Sequence, residues 1–233
     1  MAIELVTLDC AETIVPYEFD YGRFACACLR DAGVEFDEPV AAEQYQRLVD
    51  TRWSEYWELH AHRDDDVLDR FWRDLVGDWM DAQGISTDSL DRVLDEMSKR
   101  LFGPDPVEFR LYDDVLPALD ALDEAGIRVA VVSNWDYTLP RILKGLDVYD
   151  RFERVFVSMT EQVEKPDPRL FDLVLDEMGV LPEEALHVGD NPVDDVLGAK
   201  TAGMKALLID RQNRPQPGQI QSLLEIPKLL WRV

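Results

Sequence analysis

Short apolar runs recur along the chain and predict an α/β fold. Runs with strand character lie at residues 3–9, 127–133, 154–158, 185–190 and 206–210. Amphipathic segments that end at Gly separate most of the later runs, which is typical of helices. Strands that alternate with helices in this way form right-handed crossovers. The pattern therefore predicts a Rossmann-like, doubly wound parallel sheet covered on both faces.

The stretch between residues 16 and 105 has helical periodicity and no strand signal. Four amphipathic segments follow one another at residues 16–33, 39–63, 65–84 and 86–103. Pro16 and the Gly and Pro residues of 103–106 are expected at a two-segment hinge. We therefore expect a core domain of residues 1–15 and 106–233, with a four-helix domain inserted at 16–105. Aromatic side chains at helical spacing are expected to form the core of this bundle, namely Trp53, Tyr56, Trp57, Phe71, Trp72 and Trp79.

The chain is strongly acidic, which limits the partners that it can bind. It carries 48 acidic and 24 basic residues, for a formal net charge of −24. This charge repels nucleic acid and anionic membrane surfaces, so neither is an expected partner. An anionic substrate would need a local cation or a metal ion. No feature of the sequence indicates an oligomeric state.

The sequence also indicates a cellular compartment. Residues 1–9 lack the basic region and the long apolar segment of a signal peptide. No apolar run approaches the roughly 18 residues of a membrane span. Cys10, Cys26 and Cys28 cannot all pair with one another, and their spacing does not indicate a zinc site. We therefore expect a cytoplasmic protein in a reducing environment.

Polar residues follow four of the apolar runs, where ligands bind in an open parallel sheet. Asp9 ends the first run, and Ser133 with Asn134 ends the second. Lys165 lies in the loop after the third run, and Asp190 ends the fourth. Each of them alone has a simple interpretation as a turn residue, a helix cap or a solvated charge. Their occurrence at the ends of successive runs, in this order, favours one shared site that is suited to phosphate chemistry.

Four short motifs contain these residues, namely LDCAET at 8–13, VVSN at 131–134, KPDP at 165–168 and HVGDNPVDDVLGA at 187–199. In this order they resemble the motifs of the haloacid dehalogenase (HAD) superfamily, in the group with a helical cap inserted after the first strand. The likeness spans essentially the whole chain. SNWD at 133–136 and LPRIL at 139–143 also resemble the subgroup that includes the rhythmically expressed gene-2 type. The resemblance implies a HAD core with a helical cap domain.

The resemblance implies a phosphatase that acts on a small phosphorylated molecule. Asp9 would attack phosphorus and form an aspartyl-phosphate. Ser133 and Lys165 would hold the oxygens of the transferring phosphoryl group. His187 is expected to be a buried, hydrogen-bonded structural imidazole. The candidate substrate-binding residues are Thr13, Asn134 and Trp135.

The resemblance also implies Mg²⁺ as a cofactor. The side chains of Asp9, Asp190 and Asp195 would hold the ion, together with the backbone carbonyl of Ala11. Family spacing favours Asp195 over Asp194 for this role.

The residue two positions after Asp9 departs from the family pattern. Phosphatases of this superfamily carry a second Asp there, which protonates the leaving alkoxide and later activates water, whereas this sequence has Ala11. General acid–base assistance is worth roughly 10²- to 10⁴-fold, so its loss predicts slow hydrolysis of alkyl phosphates. The substitutes that remain open are a leaving group of low pKa, Glu12, or a cap carboxylate such as Glu18 or Asp20.

Two functions therefore stay open. The retained Asp9, Lys165 and acidic motif favour a Mg²⁺-dependent phosphatase. Ala11 favours a degenerate member of the fold that binds a phosphorylated ligand or a partner without turnover. A phosphonoacetaldehyde hydrolase is disfavoured, because it needs a cap lysine and the first lysine of this chain is Lys99. A haloacid dehalogenase is disfavoured, because those enzymes generally lack the GD motif that contains Asp190.

Overall fold

The computed structural model describes residues 2–16, 19–62, 64–104, 106–212, 216 and 218–230 of the chain. The chain divides into two compact units, one formed by Met1–Tyr17 with Phe109–Val233 and the other by Glu18–Glu108. The predicted domain boundaries, after residue 15 and before residue 106, fall within a few residues of this division. The assignment of the units as a catalytic core and a cap stays a prediction. Glu18, one of the candidate cap carboxylates, lies outside the described residues.

The first unit contains a parallel sheet whose main strands coincide with the predicted apolar runs. In the described part of the chain the strands are β1 (Leu5–Leu8), β2 (Arg128–Ser133), β3 (Arg154–Val157), β4 (Ala185–Gly189), β5 (Lys205–Ile209) and β6 (Gln219–Ile220). Their order is β3-β2-β1-β4-β5-β6, and every pair is parallel. All residues of β1 and β4 are buried, as expected for central strands covered on both faces. The predicted doubly wound α/β fold is confirmed.

Helices flank this sheet and form the second unit. Within the described residues they are α1 (Tyr21–Asp31), α2 (Glu38–His60), α3 (Asp65–Ala82), α4 (Leu90–Phe102), α5 (Val115–Glu124), α6 (Leu139–Gly145), α7 (Ser158–Glu161), α8 (Pro168–Met178), α9 (Gly198–Thr201) and α10 (Glu225–Leu230). Helices α1 to α4 lie in the second unit, where four helices were expected. None of the helices in these ranges combines the length and the apolar character needed to cross a membrane.

Helix α8 shows how the sequence specifies an element that supports the site. The Asp167 side chain accepts a hydrogen bond from the backbone N–H of Arg169, and Pro168 occupies the first turn. Gly179 ends the helix with a φ of 64°, a conformation that glycine adopts without a steric cost. Its apolar face, which includes Phe171, joins residues of β2 and β3 in the core of the first unit. The loop that carries Lys165 therefore leads into a firmly packed helix.

Aromatic side chains form part of the core of the second unit. Trp79 is 1% exposed, and its ring lies 4.7 Å from the ring of Tyr45. The indole N–H of Trp79 donates to a backbone carbonyl 2.9 Å away. Trp57 is 52% exposed, so the prediction that it belongs to this core is wrong. It follows buried Tyr56 by one residue, and adjacent side chains on a helix point about 100° apart.

Candidate active site

Three predicted site residues meet at the carboxyl edge of the sheet. Asp9 directly follows β1, Ser133 is the last residue of β2, and Asp190 directly follows β4. Strand β1 lies between β2 and β4, so the ends of the three strands are adjacent. The backbone N–H of Asp9 donates to the Val188 carbonyl at 2.9 Å, which extends the pairing of β1 with β4 to the candidate nucleophile. Ligands bind at this edge of doubly wound sheets, where the strand order reverses.

Lys165 joins two carboxylates of the site. Its Nζ lies 2.6 Å from Oδ1 of Asp9 and 2.6 Å from Oδ1 of Asp195. The side chains of all three residues are buried. Burial lowers the pKa of Lys165, but the charges of Asp9 and Asp195 more than offset this effect and hold the pKa above its usual value. A charged ammonium therefore lies directly beside the candidate nucleophile.

Asn134 fixes the backbone of Lys165. Its Nδ2 donates to the Lys165 carbonyl and its Oδ1 accepts from the Lys165 N–H, each at 2.8 Å. This reciprocal pair ties the loop of Lys165 to the end of β2. The predicted contact of Asn134 with substrate stays a prediction, as does that of Ser133, which is 1% exposed.

Asp195 lies on a short π-helical segment after β4, and protein groups contact both of its carboxylate oxygens. Oδ2 accepts from the backbone N–H of Asn191 at 2.9 Å, and Oδ1 accepts from Lys165. Burial raises the pKa of Asp195, but the contacts with His187 and Lys165 outweigh it and hold the pKa below its usual range. Gly189 provides the space for this carboxylate, because a Cβ at position 189 would lie 2.1 Å from Cγ of Asp195.

His187 is fully buried on β4 and contacts a partner through each ring nitrogen. Nδ1 lies 2.8 Å from Oγ1 of Thr7, and Nε2 lies 3.1 Å from Oδ1 of Asp195. An ionised carboxylate only accepts hydrogen bonds, so we place the proton of the ring on Nε2. His187 therefore has the buried, hydrogen-bonded environment that was predicted for it, and it orients a candidate metal ligand.

Asp9, Asp190 and Asp195 form an acidic group that suits a hard metal ion. One carboxylate oxygen from each of them lies within 4.8 Å of the others. Burial, and then the charges of Asp9 and Asp195, raise the pKa of Asp190 to about 6. The single positive charge of Lys165 does not balance the negative charge of the three carboxylates. Mg²⁺ prefers carboxylate oxygens as ligands. The donor set therefore fits Mg²⁺, and it includes Asp195 but not Asp194.

The loop after Asp9 turns back tightly and buries Thr13. Ala11 pairs with Val15 in an isolated β-bridge, and Glu12 has a φ of 54°. Thr13 is fully buried, and its hydroxyl has no hydrogen-bond partner among the described residues. A buried hydroxyl without a partner is costly, so its placement agrees with the predicted contact with a ligand. The Ala11 side chain supplies no acid or base, and the role of its carbonyl stays a prediction.

The other candidate residues have protein partners. Glu12 accepts a hydrogen bond from the hydroxyl of Tyr112 at 2.8 Å through Oε2. Asp20 caps α1 by accepting from a backbone N–H. Trp135 is partly buried, and its indole N–H donates to Oγ1 of Thr138 at 3.1 Å. The substrate role of Trp135 stays a prediction.

Sequence reasoning missed two residues that contact the loop after Asp9. Arg211, which follows β5, donates to the carbonyl of Thr13, although the two residues are 198 positions apart. Tyr112 reaches Glu12 over 100 positions. No spacing pattern reveals such pairs in a single sequence. The one available signal was that Arg211 directly follows the predicted strand at 206–210, close to the end of a strand as Asp9 and Asp190 are.

Comparisons with known proteins agree with this fold and site. Residues 3–203 match the family model of the haloacid dehalogenase-like hydrolases. The chain is 26% identical to haloacid dehalogenase-like hydrolase domain-containing protein 3 of Danio rerio, over 98% of this chain and 96% of that protein. It is 37% identical to a phosphoserine phosphatase of Thermus thermophilus, over 52% of this chain and 49% of that protein.

The crystal structure of 2-haloacid dehalogenase from Pseudomonas syringae pv. Tomato DC3000 is similar in fold. It matches with a TM-score of 0.64 and 24% identity, and the match covers 99% of both chains. At this identity the likeness concerns the fold alone. The family model, in contrast, spans most of the sequence and all of the residues that meet at the sheet edge. A phosphoserine phosphatase is thus among the relatives of the chain. The chain itself belongs to the haloacid dehalogenase-like hydrolase family.

Proposed function

We propose that the chain is a Mg²⁺-dependent phosphatase that forms an aspartyl-phosphate on Asp9 and acts on a small phosphorylated molecule. One observation carries this proposal: Asp9, Asp190 and Asp195 cluster within 4.8 Å, and the Lys165 ammonium lies 2.6 Å from two of them. A nucleophile, a positive charge and a set of ligands for a hard cation are thus within reach of one phosphoryl group. Phosphoryl transfer depends mainly on such positioning and electrostatic stabilisation.

The proposed reaction has two displacements at phosphorus. First, a carboxylate oxygen of Asp9 bonds to phosphorus, the bond to the leaving oxygen breaks, and its electron pair departs with that oxygen. Water then attacks phosphorus, which releases inorganic phosphate and restores the Asp9 carboxylate. Lys165 holds the phosphoryl oxygens by charge, and the hydroxyls of Ser133 and Thr13 donate to them. Because Ala11 carries no proton, the leaving oxygen takes its proton from solvent or from another group.

Mg²⁺ is the cofactor in this proposal, with Asp9, Asp190, Asp195 and the Ala11 carbonyl as its protein ligands. When bound, it supplies positive charge toward the phosphoryl oxygens. The acidity of the chain supports this requirement, because a protein with a net charge of −24 repels an anionic substrate unless the site supplies cations. The same charge supports the expectation that neither nucleic acid nor a membrane is a partner.

Ala11 supports a second candidate function, the binding of a phosphorylated ligand or partner without turnover. The neighbouring carboxylate of Glu12 accepts a hydrogen bond from Tyr112, so it is held by the protein. The two candidate functions predict different results with substrates that have good leaving groups. A phosphatase without an acid at position 11 hydrolyses aryl or acyl phosphates, whose leaving groups need little protonation, whereas a binding protein hydrolyses neither.

The deciding experiment measures phosphate release from aryl, acyl and alkyl phosphates in the presence of Mg²⁺. We expect turnover of the aryl and acyl substrates that is lost in EDTA and in Asp9→Asn. Asp172→Asn, which changes an exposed carboxyl group on α8 in the same way, is the matched control and is expected to keep wild-type activity.

Two outcomes would contradict the proposed phosphatase activity. These are no phosphate release from any substrate, or full activity in Asp9→Asn. If there is no turnover but Mg²⁺ with beryllium fluoride raises the melting temperature, the binding function is favoured. Halide release from a 2-haloacid, tested in parallel, would instead indicate a dehalogenase.

A further inference from the structure

Arg211 is a partly buried arginine that contacts the loop following the candidate nucleophile. Its side chain is 9% exposed. Nε lies 3.1 Å from the carbonyl oxygen of Thr13, and Nη2 donates to the same oxygen. Nη1 lies 3.0 and 3.2 Å from the two carboxylate oxygens of Asp114. The guanidinium carbon lies 3.8 Å from the centre of the Tyr112 ring, so one side chain holds a carbonyl, a carboxylate and an aromatic face.

Asp114 fixes the orientation of Arg211. Its Oδ2 also accepts from the Ser222 hydroxyl at 2.7 Å and from the Leu223 N–H at 2.8 Å. The carboxylate is 14% exposed, so water screens the pair only weakly. A planar guanidinium has N–H donors in fixed directions, so its pairing with a carboxylate restricts its orientation more than the pairing of a lysine ammonium would. Arg211 therefore presents its remaining donors to the loop in a defined direction.

Tyr112 supports the same loop from a second segment of the chain. Its backbone N–H donates to the Ile14 carbonyl at 3.0 Å, and its hydroxyl donates to Oε2 of Glu12 at 2.8 Å. Burial, and then the hydrogen bond to Glu12, raise the pKa of Tyr112 to about 12, so the hydroxyl stays a donor at neutral pH. Together with Arg211, it contacts three consecutive residues of the loop.

The loop needs this support. Glu12 has a φ of 54°, in the left-handed region that non-glycine residues adopt only when their surroundings enforce it. The next residue, Thr13, carries the buried hydroxyl that has no partner among the described residues. The carbonyl that Arg211 holds belongs to that same residue. The contact with Arg211 therefore acts on the backbone of the residue that carries this hydroxyl.

We propose that Arg211 is a positioning residue for phosphoryl transfer: by holding the Thr13 carbonyl, it sets where the Thr13 hydroxyl stands relative to Asp9. This inference rests on the proposed phosphatase function. A displacement of about 1 Å in a positioning group costs about 10²-fold in rate. The proposal therefore predicts a loss of kcat that exceeds any effect on KM.

The test compares two arginines that make the same kinds of contact. Arg128, at the amino end of β2, donates to both oxygens of Glu153 at 2.7 and 2.6 Å and to the Met178 carbonyl at 2.8 Å. Arg211→Met should lower kcat on an aryl phosphate about 100-fold, with KM changed by less than about 3-fold. Arg128→Met should leave both constants near the wild-type values. Arg211→Lys keeps the charge without the planar fork and should fall between wild type and Arg211→Met.

Hydrogen exchange gives a second measurement that does not depend on turnover. Deuterium uptake by a peptide that covers residues 10–15 should rise in Arg211→Met and stay unchanged in Arg128→Met. If Arg211→Met melts earlier than wild type but keeps its kcat, the residue is merely structural and the proposal is overturned. If Arg211→Met does not fold, Arg211→Lys decides, and wild-type kcat with unchanged uptake overturns the proposal. A wild type without phosphatase turnover contradicts the proposed function instead. In that case the exchange measurement decides alone, and equal uptake in wild type and variant overturns the inference.

Discussion

Replacing Lys165 by Met should destabilise the protein strongly, because two buried carboxylates would lose their shared cation. The unbranched Met side chain fills most of the space of the lysine stem, so the change is mainly one of charge. Asp9 and Asp195 each lie 2.6 Å from the ammonium, and their side chains are 8% and 1% exposed. Removing one partner of a buried ion pair costs about 3–5 kcal/mol, and one ammonium serving two carboxylates argues for the upper end, about 5 kcal/mol.

Thermal unfolding followed by circular dichroism measures this effect. In a chain of this size 1 kcal/mol shifts Tm by roughly 2–4 °C, so a loss of about 5 kcal/mol corresponds to roughly 10–20 °C. The melts are recorded in EDTA, so that no divalent ion replaces the missing charge. Adding Mg²⁺ should then narrow the difference in Tm between variant and wild type, because an ion bound to the folded variant replaces the positive charge that wild type already has. Lys200→Met, which makes the same change at an exposed position on α9, is the matched control.

A small effect would refute this argument. If Lys165→Met in EDTA melts as close to wild type as Lys200→Met does, the short contacts to Asp9 and Asp195 do not balance buried charge. In that case the negative charge of the acidic group must be relieved in another way, and Lys165 would be needed for catalysis alone.

Three further variants test other parts of the molecule. Ala11→Asp should raise the hydrolysis of alkyl phosphates by roughly 10²- to 10⁴-fold and that of aryl phosphates far less, because it restores a general acid; equal gains on both classes in steady-state assays would contradict the missing acid as the cause. Gly189→Ala should weaken Mg²⁺ binding measured by isothermal titration calorimetry, because the new Cβ would lie 2.1 Å from Cγ of Asp195; an unchanged dissociation constant would show that this carboxylate can shift without cost. Trp79→Phe should lower the free energy of unfolding in urea by about 1–3 kcal/mol, because it removes the buried hydrogen bond to the Ala41 carbonyl and leaves part of the indole's space unfilled; an unchanged free energy of unfolding would mean that this bond and the indole's packing do not stabilise the fold.

The sheet was predictable because its central strands are buried on both faces and therefore read as continuous apolar runs. Strand β6 was not predictable in this way, because its two residues are too few to form an apolar run. The amphipathic segment at 194–203, which ends at Gly203, has the sequence pattern of a single helix, whereas the structure has a π-helical turn at Pro192–Leu197 followed by α9. Apolar periodicity reports which face of a segment is buried and does not resolve the width of a single turn.

Strand ends made part of the site predictable, and the resemblance to the family motifs supplied Lys165 and Asp195. Asp9 and Asp190 directly follow β1 and β4, and Ser133 ends the neighbouring β2, so their convergence follows from the sheet order. The partners of loop residues were not predictable in the same way. Asn134 is bound to the backbone of Lys165, and Arg211 to that of Thr13, through contacts that span 31 and 198 positions. Such pairs depend on how loops pack in three dimensions, which a single sequence does not encode as a spacing.

In the proposed phosphatase, the contacts of Lys165 and Glu12 limit the proton donors that can serve the leaving group. Lys165 is held by two carboxylates, and the carboxylate of Glu12 accepts from Tyr112, so neither side chain is placed as an uncommitted proton donor. Without proton transfer, the leaving oxygen carries its developing charge unaided, and the rate should then depend steeply on the pKa of the leaving group. A series of substituted aryl phosphates measures this slope. The slope should flatten in Ala11→Asp, because a general acid shares that charge, and a shallow slope in the wild type would mean that a proton donor already reaches the leaving oxygen.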